Sequence, residues 1–427
     1  MASTYLTRAA TGSVTSDKIF TMSVWLKRST VTGSGSADHW FMHENASSHT
    51  QKLDLHFTDD EFRMGWWDGS SEYNLDSKMK FRDTNAWYHI VFRCDTTQAT
   101  ASNRVRVYVN GEQIELQQIG GGDPDAQQPA QNATMDLGTK IICVGRYQAS
   151  SPSQYFNGCM SHMHYCDGQS YAPTEFGETD STTGEWKIKP DPSLTYGNNG
   201  FWLFKNDNAV TNRAAGTSSG NFTVAGGTLT KTEDNPSNVF CTLNRLNSDQ
   251  PTGSVNMQYG NTGFEDGENG SNYSYVSGTL AANSGKFYWE TKVTDLAEID
   301  QVGVALASSS FTGAANSNGL QATTYGGKGC QFSNGYKVGD GSSGAYMGAF
   351  SANDIMMIAL DLDNNKITFG RNGQWADGSG NANQTYANST PAYTNLTAGE
   401  FYFPAQAKRA YGANYGTNWY NFGNGYF

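Results

Sequence analysis

Apolar and polar residues alternate with a period of two in many short segments of the chain. The alternation is clearest in Phe20–Lys27, Trp87–Asp95 and Arg104–Asn110. Successive side chains of a strand point to opposite faces, so this period predicts β-strands that bury one face. Asn110-Gly111 and Asn372-Gly373 each follow a strongly patterned segment and predict tight hairpin turns.

Two further pairs of patterned segments predict strands that are neighbours in the fold. Leu53–Phe57 and Phe62–Trp67 flank a short acidic turn and predict an antiparallel pair. In Ser284–Ala307, the alternating segment Phe287–Val293 is followed, after a polar turn, by a second one, Val302–Leu306. We predict that these two segments form a hairpin of half-buried strands.

Composition supports an all-β chain and narrows its partners. The 427 residues are enough for two or three domains, and 48 glycines with 13% aromatic residues fit many strands joined by tight turns. The net charge of −12 comes from scattered acidic residues, which argues against nucleic-acid binding because that needs a basic stripe. No apolar run approaches membrane-spanning length, so we expect no membrane insertion.

The six cysteines show no CxxC pair and no disulfide framework, so they are interpreted as small buried hydrophobes in a reducing cytoplasm. The N-terminal residues lack the apolar region of a signal peptide. We therefore expect a chain that is made in the cytoplasm and is not secreted.

Two stretches resemble known families. SGKFYWETKV at 284–293, followed by a VGVA strand and by FYFPAQ at 401–406, resembles the SPRY domain over residues 236–410. The opening TYLTRA, the SVWLKRST strand, AWYHIVFRCDTTQATASNRVRVYVNG and FNGCMSHMHYCDGQSYAPTEFGE resemble the laminin-G-like, concanavalin A-like jelly roll over residues 1–180. Both families are antiparallel β-sandwiches, and SPRY domains bind partners through loops.

These resemblances imply a specific architecture. We predict two antiparallel β-sandwiches: an N-terminal jelly roll at residues 1–180 and a SPRY-like sandwich with an aromatic and glycine-rich tail at residues 236–427. Residues 181–235 are predicted to be a connector containing Gly and Ser. Its FWLF segment at 201–204 is a candidate extra strand of the first sandwich.

Catalytic motifs are incomplete in this chain. Glu178-Thr179-Asp180 begins the E-x-D-x-x-E pattern with which jelly-roll glucanases flank a glycosidic bond, but the third Glu is missing. Residues 216–220 match G-x-S-x-G inside a Gly/Ser segment, without the strand and helix of a nucleophile elbow. We predict no catalytic residues and a chain that is not an enzyme; a polysaccharide-degrading enzyme is the remote alternative.

Binding is the remaining class of function. Aromatic rings in sandwich loops can stack on sugar rings while nearby polar groups bond the hydroxyls. Two groups of candidate ligand-binding residues fit this description: Trp66, Trp67, Asp68 and Tyr73 in the first half, and Tyr325, Tyr336 and Tyr346 in the second. Core packing is the alternative for each group, at equal weight, because aromatics at strand ends are usually buried.

The chain requires no cofactor, but two metal sites deserve a test. The laminin-G resemblance implies Ca²⁺ at a loop-edge aspartate, with Asp123, Asp125 and Asp167 as candidate ligands. A second set, His162, His164 and Cys166, falls on one face of a predicted strand and suits a soft metal. Core or interface packing is the favoured interpretation of the second set, because no nearby cluster supplies further ligands.

The fused pair of sandwiches is similar to structural proteins of tailed bacteriophages of marine bacteria. This resemblance implies a virion protein, such as a tail fibre, a spike or a capsid decoration. Its expected partners are other virion proteins, further copies of itself in a homo-oligomer such as the trimer usual for fibres, and host-surface polysaccharide. A connector or decoration protein that binds no receptor is the alternative.

Overall fold

The computed structural model describes residues 3–31, 37–44, 51–68, 70–135, 140–147, 154–205, 209–214, 220–249, 256–265, 273–294, 299–311, 318–409 and 416–425. These residues form two units, which are considered one at a time. The first comprises Met1–Lys231 and Asn235–Asn238, and the second comprises Thr232–Asp234 and Val239–Phe427.

The strands of the first unit are short and are joined by tight turns. They are β1 (Tyr5–Arg8), β2 (Ile19–Arg28), β3 (Ala37–Glu44), β4 (Gln51–Thr58), β5 (Glu61–Asp68), β6 (Glu72–Lys80), β7 (Tyr88–Asp95), β8 (Val105–Val109), β9 (Glu112–Gln113), β10 (Leu116–Gln118), β11 (Ile141–Val144), β12 (Gly158–Asp167), β13 (Gly177–Thr179), β14 (Trp186–Ile188), β15 (Phe201–Leu203) and β16 (Thr223–Gly226).

Two antiparallel sheets enclose the core of the first unit. One has the order β10-β6-β5-β4-β3-β11-β1-β16 and the other β15-β12-β2-β7-β8-β9, beside a small β13-β14 ribbon. The predicted inward positions are buried together in one cluster, including alternate residues of β2 and β8 such as Phe20, Val24 and Val107. The predicted pairing of β4 with β5 is confirmed, and Asp59 and Asp60 take positive φ at the turn between them.

Residues beyond 180 belong structurally to the first unit. β15 pairs with β12, and β16 pairs with β1, so each large sheet gains an edge strand from the segment that we predicted to be a connector. The same region covers the outer face of the six-stranded sheet, where Trp202 and Ile188 are buried against it. Apolar side chains on both faces of this sheet therefore lie away from water, which explains why β2 is buried along nearly its whole length.

The second unit is also built from antiparallel strands. They are β17 (Leu243–Asp249), β18 (Asn256–Gln258), β19 (Gly263–Glu265), β20 (Ser274–Gly278), β21 (Lys286–Val293), β22 (Ile299–Leu306), β23 (Lys328–Gln331), β24 (Tyr336–Gly339), β25 (Ser342–Ala345), β26 (Ile355–Asp361), β27 (Lys366–Arg371), β28 (Gln374–Ala376), β29 (Ala382–Gln384), β30 (Tyr402–Arg409) and β31 (Thr417–Asn421). Their sheet orders are β17-β20-β30-β22-β23-β24-β25 and β18-β19-β31-β21-β26-β27-β28-β29.

The predicted hairpin in Ser284–Ala307 is wrong. β21 pairs with β26 and β31 in one sheet, whereas β22 pairs with β23 and β30 in the other. Each strand has one apolar face, and the two faces meet in the same core from opposite sides. Phe287 is also an exception to the predicted alternation, because it lies near the start of β21 and is 45% exposed.

The two predicted Asn-Gly turns are confirmed. Asn110 and Gly111 both take positive φ between β8 and β9, and Asn372 and Gly373 do so between β27 and β28. Such turns suit the right-handed twist of the strands that they join.

Helical structure in the described part of the chain consists of short 3-10 turns. They are Ala101–Asn103, Pro124–Gln127, Pro173–Glu175, Gly319–Gln321, Thr323–Tyr325, Leu362–Asn364 and Tyr386–Asn388. Within these described residues, no helix has the length and apolar character needed to cross a membrane. The prediction of an all-β chain with antiparallel sandwiches is confirmed.

Candidate functional site

The first predicted group of sugar-stacking aromatics is largely taken up by packing. Trp66 is 2% exposed in the core, and its ring stacks on Tyr73 at a centroid distance of 4.8 Å. Trp67 points to the other face of β5 and is half-buried. The side chain of Asp68 lies outside the part that the structure describes. The core alternative therefore corrects the prediction for Trp66 and Tyr73.

The second predicted group is divided between core and surface. Tyr325 and Tyr346 are 5% and 2% exposed, and the Tyr346 hydroxyl donates to the Thr390 carbonyl at 2.6 Å. Their ring faces are covered by the core, so neither can present a flat surface to a ligand. Tyr336, in β24, is 38% exposed and remains a candidate.

The three candidate calcium ligands lie in different environments. Asp123 and Asp125 are exposed at a 3-10 turn, where the Asp123 carboxylate accepts the Asp125 amide at 2.9 Å. Asp167 is fully buried and accepts three backbone N–H groups, from Thr15 at 2.6 Å, Ser16 at 3.0 Å and Asn199 at 3.0 Å. Because N–H donors occupy both of its oxygens, Asp167 joins three chain segments and is not placed as a calcium ligand.

The soft-metal set is broken by an irregularity in β12. His162 has a φ of 45°, and the pairing of β12 with β2 shifts register between Ser161 and His164. The strict alternation that would align His162, His164 and Cys166 is therefore lost. His164 Nδ1 lies 2.9 Å from the Tyr196 hydroxyl, and burial lowers the pKa of His162 to about 4 and that of His164 well below its usual value. Packing is the interpretation that fits these contacts.

A different set of residues can hold a metal ion. Among the described residues, the ligand atoms of His39, Asp54 and His56 lie within 4.8 Å of one another. Asp54 Oδ2 is 2.8 Å from His56 Nδ1 and 3.4 Å from His39 Nε2. The sequence signal is the Asp-x-His spacing in β4, which places both side chains on one face, but His39 joins them only through strand pairing.

Exposed aromatic side chains gather on the outer face of the eight-stranded sheet of the second unit. Tyr288 and Tyr386 are 52% and 45% exposed, and Trp375 lies between them. Ring centroids are 6.2 Å apart for Tyr288 and Trp375, and 4.9 Å apart for Trp375 and Tyr386. We call this group, with the neighbouring Glu290 and Gln384, the aromatic face.

Strand pairing builds the aromatic face. Tyr288 and Glu290 occupy outward positions of β21, because the alternate residues Trp289 and Thr291 point into the core. Across the sheet, Glu290 pairs with Met357, Met357 with Gly370, Gly370 with Trp375, and Trp375 with Gln384, as the strand registers show.

Gly370 provides the space that the Trp375 ring needs. A Cβ atom at Gly370 would lie 2.5 Å from Met357 Cε and 3.2 Å from Trp375 Cδ2. Any larger residue at Gly370 would force one of these side chains to move. The glycine therefore lets the indole ring lie across β27.

Polar groups border the rings. The Tyr288 hydroxyl donates to Glu290 Oε1 at 2.5 Å. Partial burial and this hydrogen bond raise the pKa of Tyr288 above its ordinary value, so the hydroxyl stays protonated at neutral pH. Exposed rings with a carboxylate and an amide beside them offer both stacking surfaces and hydrogen-bonding groups.

Comparison with known proteins identifies the first unit. Residues 2–169 match the Laminin_G_3 family, the concanavalin A-like lectin/glucanases superfamily. The first unit is a concanavalin A-like jelly roll. No curated protein matches the chain.

Solved structures with similar folds include three from distant sources. The SPRY domain of human HERC1 is 16% identical, with 37% of this chain and 87% of that chain covered and a TM-score of 0.29. A native heptameric SAP-like pentraxin from Limulus polyphemus is 14% identical, with 40% and 71% covered and a TM-score of 0.28. The Ruminococcus gnavus IT-sialidase CBM40 bound to alpha2,3 sialyllactose is 15% identical, with 34% and 73% covered and a TM-score of 0.26. Similarities of this size do not transfer a ligand or an activity.

Proposed function

We propose that the chain is a non-catalytic binding protein that holds carbohydrate on the aromatic face of its second unit. The observation that carries the proposal is the exposure of Tyr288 and Tyr386 on either side of Trp375, in contact with one another and bordered by polar groups. A contiguous group of exposed rings on a sheet face marks an interaction site more strongly than scattered ones do.

We further propose that the protein is a structural appendage of a tailed-phage virion, such as a fibre, a spike or a capsid decoration, and that the carbohydrate is host-surface polysaccharide. The support is the resemblance of the fused sandwiches to phage structural proteins. A single shallow face is expected to bind weakly, with a Kd near 1 mM or about −4 kcal/mol. Several copies on one particle would raise the avidity by about 10²–10⁴.

Carbohydrate binding is tested with the purified full chain on arrays of bacterial surface polysaccharides. Trp375→Ala removes the ring that contacts both tyrosines, and we expect binding at least about tenfold weaker, the equivalent of one aromatic contact. Tyr336→Ala, at the exposed tyrosine of β24, is the matched control and should bind as the unaltered chain does. Equal binding by the Trp375→Ala variant would contradict the proposal, and loss only in Tyr336→Ala would move the site to the loops.

The virion assignment has its own test. Mass spectrometry of gradient-purified particles, from the phage whose genome encodes this chain, should detect the protein at several copies per particle. Its absence from intact particles would refute the virion assignment and leave the carbohydrate proposal standing.

A purely structural role is the second candidate. The edge strand β17 carries Leu246, which is 59% exposed, and Leu280 beyond the neighbouring strand β20 is 55% exposed. An edge strand with exposed apolar residues can pair with a neighbouring chain. If no polysaccharide binds while Leu246→Asp disrupts a complex with another virion protein, this candidate replaces the first.

A further inference from the structure

We propose that His39, Asp54 and His56 in the first unit form a binding site for one divalent transition-metal ion of the Zn²⁺ class. The proposal is independent of the carbohydrate site, which lies in the second unit. We call these three residues the His39 cluster.

The His39 cluster is fixed by the ladder of the eight-stranded sheet. His39 in β3 pairs directly with His56 in β4, and Asp54 lies two residues from His56 on the same face. β3 and β4 are interior strands of this sheet, flanked by β11 and β5. All three residues are buried, with exposures of 3%, 1% and 8%. Sites on paired strands hold their ligands more rigidly than sites on loops.

The distances fit ligands that share one ion. Two atoms bound to Zn²⁺ at about 2.0–2.1 Å in a tetrahedron lie about 3.3 Å apart. Asp54 Oδ2 is 3.4 Å from His39 Nε2 and 2.8 Å from His56 Nδ1. Small side-chain adjustments would bring both nitrogens and the oxygen to coordination distance.

The donor set selects the class of metal. Two imidazole nitrogens and one carboxylate oxygen suit Zn²⁺ and related ions, whereas Ca²⁺ and Mg²⁺ prefer oxygen ligands. The His39 and His56 rings stack with centroids 4.2 Å apart, so two protonated rings would repel each other. Metal binding requires both rings to be neutral, and it leaves at least one position open to water or another oxygen ligand.

A glycine in the next strand makes room beside the carboxylate. Gly65 in β5 pairs with Asp54, and a Cβ there would lie 2.9 Å and 3.0 Å from the two carboxylate oxygens. Gly65 is within a strand, where glycine costs stability and marks a close approach. Arg63, the neighbour opposite His56, is held by Asp76 at 2.6 Å and 2.8 Å. That bidentate pair neutralises the charge of Arg63 away from Asp54.

The test uses the tag-free full chain, stripped with a chelator and then titrated with Zn²⁺ and Co²⁺. We expect one ion per chain, Co²⁺ absorption bands typical of nitrogen and oxygen ligands, and a Zn²⁺-dependent rise in Tm. His56→Gln and Asp54→Asn should weaken Zn²⁺ binding by at least about 100-fold. His162→Gln, a buried histidine on the other sheet of the same unit, is the matched control and should change nothing.

Two outcomes would overturn the proposal. In one, the stripped chain binds Zn²⁺ no more tightly than the Asp54→Asn variant, which would leave a hydrogen-bonded His–Asp–His group. In the other, the Co²⁺ spectrum shows thiolate bands, which would place the ion at a cysteine. The Co²⁺ spectrum needs no substituted protein, so it decides the matter even if His56→Gln fails to fold.

Discussion

Replacing the buried carboxylate of Asp167 tests the structural account of this residue against the calcium prediction. Asp167→Asn keeps the size and shape of the side chain but replaces one acceptor oxygen with an NH₂ donor. Oδ2 accepts from Thr15 and Asn199, and Oδ1 accepts from Ser16. The most favourable orientation of the amide keeps the first two bonds and turns a donor toward the Ser16 amide.

The size of the effect follows from these three bonds. A buried N–H left without an acceptor costs about 1–3 kcal/mol. The two remaining bonds lose their charge assistance, at about 1 kcal/mol each. We therefore expect Asp167→Asn to lower the free energy of unfolding by about 3–5 kcal/mol, which corresponds to a Tm roughly 10 °C lower for a unit of this size.

Thermal and urea unfolding of the full chain, with and without Ca²⁺, provide the measurement. Asp123→Asn, at an exposed turn, is the control and should change stability by less than about 0.5 kcal/mol. The reasoning is refuted if Asp167→Asn unfolds within about 1 kcal/mol of the unaltered chain. It is equally refuted if Ca²⁺ stabilises the unaltered chain and not the variant, because Asp167 would then be a calcium ligand.

Two further predictions concern the first unit. Burial lowers the pKa of His89 from 6.5 to about 3, so the unfolded chain binds a proton that the folded chain excludes. The associated stability is complete above pH 6.5 and falls as the pH drops toward 3, by about 2 kcal/mol at pH 5; urea midpoints at pH 7.5 and 5 should therefore differ less in His89→Gln, and an unchanged difference would contradict this. Gly111→Ala should cost about 2–4 kcal/mol, because φ is +87° and the new Cβ would lie 2.6 Å from the Trp186 ring. Gly373→Ala, with φ of +85° and open space around it, should cost only the backbone strain of about 1–2 kcal/mol, and equal losses in the two variants would exclude the ring clash.

Strands and turns were predictable because their signals are local. The alternation in β2 and β8 needs only the side chains of one segment, and the turn at Asn110-Gly111 needs only two residues. The partner of a strand is not a local property. β21 and β22 follow each other in sequence, yet each has one apolar face and satisfies it equally well in a hairpin or in opposite sheets. Pattern alone cannot separate these two solutions.

The candidate sites depended on pairing as well. Aromatic residues suit both a core and a ligand surface, and for this reason Trp66 and Tyr346 were predicted as binders although both are buried. Tyr288 and Trp375 meet only because β21, β26, β27 and β28 are neighbours. His39 joins Asp54 and His56 because the register of β3 shifts just after it, which no spacing rule reveals.

The pairing of β1 with β16 has a consequence for the order in which the protein is made. Tyr5 lies opposite Gly226, so the outer edge of one of the earliest strands to leave the ribosome stays open until almost the whole first unit has been synthesised. Contacts between segments so far apart in the chain form slowly, because a long loop must close before they stabilise anything. During translation, β1 is therefore an unprotected edge on which a second nascent chain can pair, and its capture by residues 223–226 ends that exposure.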